Sequence, residues 1–245
     1  MNQEVKPAEL SNKKSKFLAF NSPISFTSFH LKIIAILTMV TDHVGFLFFH
    51  DQLLWRIIGR ISFAVFAFLI AEGFEKTSNV NKYFNRLISF AVISQIPYTL
   101  FRYAAEGKIT TDLNIFFTLA AGLLVILCWK QLPLYGSIPL ILGIATFAQA
   151  FSFDYGAYGV IVVLASQIML FYRKLGWIAL LLIHQLPVIV YSMFGIFSIQ
   201  GFAALSIPIV ASYNGERGMR LPRYAFYLFY PGNLLILWLL WILVS

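Results

Sequence analysis

Asp42 and His43 stand side by side inside an apolar run, Lys32 to Phe49, that reads KIIAILTMVTDHVGFLFF. A charged side chain at the centre of a bilayer costs about 2.5–3.5 kcal/mol, so such a residue faces a protein interior or a watery cavity and by default marks a functional site. The next apolar run brings Arg56 and Arg60, an i,i+4 pair on one helix face. A carboxylate, an imidazole and two guanidiniums can together move a proton and steady a developing negative charge. Their spacing predicts an Asp42–Arg60 or Asp42–Arg56 ion pair between consecutive helices. A satisfied pair that only fixes helix packing is the plainer alternative. Lys32 and His43, eleven positions apart, share a helix face and are separated by roughly 16 Å of rise. Asp42 and His43 point about 100° apart, which argues against a direct dyad between them.

The elements that must position these groups are membrane helices. The chain has 245 residues, 60% hydrophobic and 11% charged, against about 45–50% and about 25% in a soluble domain. That composition predicts an all-α, polytopic transmembrane bundle and excludes a β-barrel, whose alternation is weaker. Spans of about 20 residues fall near 31–50, 54–74, 82–103, 113–130, 137–153, 157–172, 175–193, 196–213 and 224–244, about nine in all. Pro97, Pro187, Pro208 and Pro231 lie within them. Residues 1–30 read as a polar, uncleaved cytoplasmic tail, and 31–245 as one membrane domain without internal repeats. The net charge of +8 reads as positive-inside anchoring rather than nucleic-acid binding. With the N-terminus inside, the inner segments hold most Lys and Arg and the outer loops only Arg102 and Lys108. The odd span count then places the C-terminus outside. Cys128 is the one cysteine, so neither a disulfide nor a cysteine metal site is expected, and no metal is predicted.

Further polar residues gather at the outer level of Asp42: Gln95, Asn114, and Asp154-Tyr155. Glu72 and Glu75, at the inner end of the second span, are expected to pair with Lys76, Lys82 or Arg86. His184, in mid-span, reads as a hydrogen-bonded core residue. The chain holds no P-loop, HExxH, GxSxG or dinucleotide fingerprint.

Several ordered blocks carry a resemblance: LKIIAILTMVTDHVG (31–45), WRIIGRISFAVFAFLIAEGF (55–74), RLISFAVISQIPY (86–98), LNIFFTL (113–119), DYGAYGV (154–160), FAALSIPIVASYNGERG (202–218) and FYLFYP (226–231). Together they resemble the TraX family, integral-membrane pilin acetylases of conjugation systems. The first helix is also similar to membrane acyltransferases marked by Arg, ten residues, then His; here the pair is Lys32 and His43. The family's last block reads Phe-Tyr-Pro-x-His, whereas this chain has Phe229-Tyr230-Pro231-Gly232-Asn233.

The resemblance implies an acyltransferase of the bacterial inner membrane. It would move acetyl from cytoplasmic acetyl-CoA to an amine or hydroxyl presented from outside, by family the N-terminus of a pilin-like protein. His43 would act as base or carry the acetyl group transiently, Arg56 or Arg60 would stabilise the oxyanion, and Asp42 would orient them. Lys32, Arg217 and Arg220 would meet CoA phosphates. Gln95, Asn114, Asp154, Tyr155 and Asn233 are the expected acceptor contacts. Two other functions fit the same residues, a proton-coupled transporter and a non-catalytic assembly subunit.

Overall fold

The computed structural model describes residues 25–220, 222 and 224–244. Most of the expected tail, and Arg223, lie outside them. The regular elements among the described residues are all helices: α1 (Ser28–Phe48), α2 (Leu53–Lys76), α3 (Val80–Glu106), α4 (Ile115–Gln131), α5 (Leu134–Ala150), α6 (Gly156–Phe171), α7 (Arg173–Ser192), a 3-10 helix (Ile199–Leu205), α8 (Ser206–Ala211) and α9 (Ala225–Val244). Two isolated bridges, Phe26 with Tyr213 and Leu113 with Phe153, are the extended pairings among them.

α2 is the central element. It forms a hairpin with α1, and its remaining faces meet α4, α6, α8 and the 3-10 helix. Its middle is small or apolar on every side, with Ala64, Val65, Ala67, Phe68 and Ala71 all buried, as expected of a helix surrounded by others. α9 packs against α3 and α1, and α5 sits at the edge on α4 and α6. α1 starts in a capping box, where Thr27 and His30 satisfy each other's backbone N–H groups. The parallel bridge beside it, with Phe26 N–H on Ser212 O at 2.8 Å and Asn214 N–H on Phe26 O at 2.9 Å, ties that start to the segment after α8.

Four helices, α1, α2, α7 and α9, are long and apolar enough to cross a membrane. α4, α5 and α6 are apolar but shorter, at 17, 17 and 16 residues. The run 196–213, expected as one span, is instead broken into the 3-10 helix and the six-residue α8. Pro208 explains part of the break: it has no N–H to give to the carbonyl four residues back, and its ring crowds that carbonyl. Pro97, Pro187 and Pro231 sit inside continuous helices.

Candidate functional site

Asp42 receives both guanidiniums. Arg56 Nη1 lies 2.8 Å from Asp42 Oδ2, and Arg60 Nη2 lies 2.9 Å from Oδ1. The two expected alternatives are therefore both formed, one to each carboxylate oxygen. Arg60 is tied further into this cluster: its Nε donates to Arg56 O at 3.2 Å and its Nη1 to Gln200 Oε1 at 3.3 Å. Arg56 also donates through Nη1 to Asp42 O and lies over the Phe46 ring. Its Nε and Nη2 make no hydrogen bond among the described residues, so Arg56 has two whole guanidinium nitrogens to offer a ligand, whereas each Arg60 nitrogen already donates once.

Close approach of α1 and α2 depends on Gly59. A Cβ built there would overlap the Asp42 carboxylate. Gly59→Ala is expected to push Asp42 off its partners and cost about 1–3 kcal/mol as overpacking. Gly143→Ala, on α5 with open space around it, is the neutral control. Thermal unfolding in detergent compares the two.

His43 turns away from Asp42. Its Nδ1 lies 2.7 Å from Asn233 Nδ2 on α9, and its ring packs on Phe101 and Tyr230. Asn233 thus stands against the imidazole. An amide nitrogen facing Nδ1 donates to it, which leaves the ring proton on Nε2. Nε2 has no hydrogen-bond partner among the described residues.

Asp42, His43, Arg56 and Arg60 line one cavity of about 690 Å³, and Asn233, an expected acceptor contact, is not among its lining residues. One end holds Lys32, Glu72, Arg86 and Arg217; the other holds Arg102 and Glu106. Between them lie an apolar stretch, with Ile36, Met39, Leu69 and Ile70, and then Asp42, His43, Arg56, Arg60, Asp154 and Tyr155. From Glu72 to Arg56 the wall runs sixteen residues of α2, roughly 24 Å of rise.

The Lys32 end is rich in cations without carboxylate partners. Glu72 is taken by Lys76 at 2.6 Å, Ser28 at 2.5 Å and Tyr213 at 2.8 Å. Glu75 goes not to its α3 neighbours but to Lys130 at 3.0 Å and Gln167 at 2.5 Å. Lys32, over the Phe226 ring, Arg86 and Arg217 have no ion pair among the described residues. The Arg86 Nε is a buried donor with no acceptor among the described residues. Arg86 is a site residue the sequence reading missed, because a cation at a helix end is indistinguishable there from a topology anchor. Arg220 is exposed and does not line the cavity.

Gln95 and Asn114 also lie off the cavity. Asn114 is fully buried. Its amide donates to Ala91 O and Gln95 Oε1, and its Oδ1 caps α4 through Phe116 N–H. Gln95 Nε2 donates to Asp112 O at 2.8 Å. Their polar atoms join α3 to the start of α4, which corrects the expectation that they face a substrate. His184 is buried and hydrogen-bonded, but it also reaches the site: its Nδ1 meets Tyr158 Oη at 2.7 Å, and Gln200 Nε2 donates to that oxygen at 2.8 Å. Gln200 in turn holds Arg60. The relay joins α6, α7 and the 3-10 helix to the ion cluster, and no spacing in the sequence announces it.

Apolar helices around an ionised, ligand-sized cavity define a polytopic membrane protein with a polar site buried in its bundle. The model of the TraX protein family matches residues 28–241, and the chain belongs to that family. It is 32% identical over 239 residues to the probable fimbrial assembly protein FimC, serogroup H1, of Dichelobacter nodosus, covering 87% of this chain and 95% of that protein. No solved structure matches it.

Proposed function

We propose that the protein is a membrane-embedded acyltransferase that moves an acetyl group from acetyl-CoA to an amine reaching the cavity from the opposite face. The observation that carries this reading is one cavity lined in turn by Lys32, Arg86 and Arg217, by His43 and Arg56, and by Arg102. Each part has a matching chemical need. Lys32, Arg86 and Arg217 can meet phosphates. The apolar stretch past Ile36 and Met39 suits a narrow, flexible arm. A thioester at its tip would come to the level of His43, where the imidazole and the free Arg56 donors can act on its carbonyl.

In the proposed orientation the N-terminus and the Lys32 end are cytoplasmic, and the chain crosses the bacterial inner membrane nine times. The broken segment 199–211 counts as one pass: Gln200 meets Arg60 near one end of α2, and Tyr213 meets Glu72 near the other. The C-terminus is then outside. The D. nodosus relative is by its name a fimbrial assembly protein. A role in pilus or fimbrial assembly, with the N-terminus of a pilin-like subunit as acceptor, extends that to this chain.

The test is release of CoA from labelled acetyl-CoA by purified protein in detergent, with label followed onto the protein and onto amine acceptors. Turnover or self-labelling supports the reading. Well-folded protein that neither binds acetyl-CoA nor releases CoA overturns the donor assignment.

A further inference from the structure

Asp154 sits in the turn between α5 and α6 and lines the cavity. Its side chain makes no hydrogen bond or ion pair among the described residues, although the cavity's other carboxylates, Asp42, Glu72 and Glu106, are all paired. Its backbone is held firmly. Asp154 N–H donates to Leu113 O at 2.7 Å, and the Thr118 hydroxyl donates to Asp154 O. Two non-glycine residues around it are left-handed, Ser152 at φ 50° and Tyr155 at φ 65°. Such conformations cost about 1–3 kcal/mol each and persist where the surroundings impose them, often at functional sites. Tyr155 stacks on Phe63 with ring centroids 4.1 Å apart and lies beneath the Arg60 guanidinium. The turn thus holds an unpartnered carboxylate against the wall of the cavity.

His43 makes such a group necessary. With the Asn233 amide donating to Nδ1, the neutral ring carries its proton on Nε2 and offers a donor rather than a lone pair. An amine arriving as an ammonium must still lose a proton before it can attack.

We propose, resting on the acyltransfer reading, that Asp154 binds the ammonium of the acceptor and takes its proton, while His43 Nε2–H donates a hydrogen bond to the thioester carbonyl. The ammonium gives one proton to the Asp154 carboxylate, which passes it to water on the Arg102 side of the cavity. The freed lone pair forms the C–N bond, and negative charge develops on the carbonyl oxygen facing Nε2–H. The carboxylate takes the second proton from nitrogen and delivers it to sulfur as the C–S bond breaks. The products are the amide, CoA thiol and one released proton.

Burial pushes the Asp154 carboxyl up to about 6. Arg60 and Arg56 of α2 and Arg102 of α3 face it, as do Asp42, Asp112, Tyr98 and the Tyr230 of α9. The arginines pull the value down and Asp42 and Asp112 raise it further. The sign follows: the proton-bound form favours the fold, so its stability contribution is lost as pH rises through about 6, while the carboxylate needed for the amine appears over that interval. Amine acetylation should therefore rise through pH 6.

The experiment measures binding of Gly-Phe amide, with its free amine, to the full-length protein in detergent without acetyl-CoA. N-acetyl-Gly-Phe amide is compared, with wild type beside Asp154→Asn and Asp154→Glu. Wild type should prefer the free amine, Asp154→Asn should weaken it about 10- to 100-fold, as loss of a charged hydrogen bond does, and Asp154→Glu should restore part. Asp154→Asn should leave acetyl-CoA binding unchanged and remove the rise in transfer rate through pH 6. Equal binding by Asp154→Asn, or no preference for the free amine in wild type, overturns the proposal. Failure of the acyltransfer reading would show separately, as missing CoA release while Asp154-dependent binding of the amine remained.

Discussion

His43→Ala is expected to lower acetyl transfer about 100-fold or more, as loss of a positioned proton-handling or oxyanion-binding group does. Stability should fall by no more than an ordinary substitution costs, about 1 kcal/mol. The separation follows from what His43 touches. Its one hydrogen bond goes to Asn233, its ring meets Phe101 and Tyr230, and it takes no part in the Asp42 ion cluster. The variant therefore loses a reactive nitrogen without leaving a buried charge unpaired. CoA release and label transfer measure the first effect, and thermal unfolding in detergent the second. Asn233→Leu should give a smaller loss, because the imidazole stays but nothing sets its tautomer. Full turnover by folded His43→Ala would place the chemistry elsewhere in the cavity.

Asp42→Ala is expected to act through stability, at about 3–5 kcal/mol, because it leaves two guanidiniums without their counter-charge. The Arg60 side chain is 11% exposed and that of Arg56 is 24%, so water reaches neither well enough to replace the carboxylate. A poor yield of folded protein and a large fall in unfolding temperature are the readouts. A triple replacement, Asp42→Leu with Arg56→Met and Arg60→Met, removes all three charges at similar volume and should recover much of the lost stability. It should not recover transfer, since Arg56 supplies the free donors of the site. A triple variant that is both stable and active would mean that the ion cluster only holds α1 against α2.

The sequence by itself determined the class of fold, because apolar composition sustained over span-length runs allows helices in a bilayer and little else. It also determined that Asp42 must meet Arg56 or Arg60, since charges of opposite sign on consecutive apolar helices have few other partners. The Glu72–Lys76 pair was legible for a similar reason: it lies four residues apart on one face. Only the tertiary structure decided the rest. Gln95 and Asn114 look like polar residues at the right depth, but depth does not say which way a side chain points, and theirs close the α3–α4 junction. Glu75 pairs across the bundle with Lys130 rather than with a neighbour in sequence. Arg86 became part of the cavity, and Asn233 met His43 across 190 positions, because α9 returns against α1 and α3. The relay from His184 through Tyr158 and Gln200 to Arg60 joins four residues from four elements. Helix periodicity fixes which residues share a face, whereas the partner of that face is set by how the helices pack, and packing is a property of the whole chain.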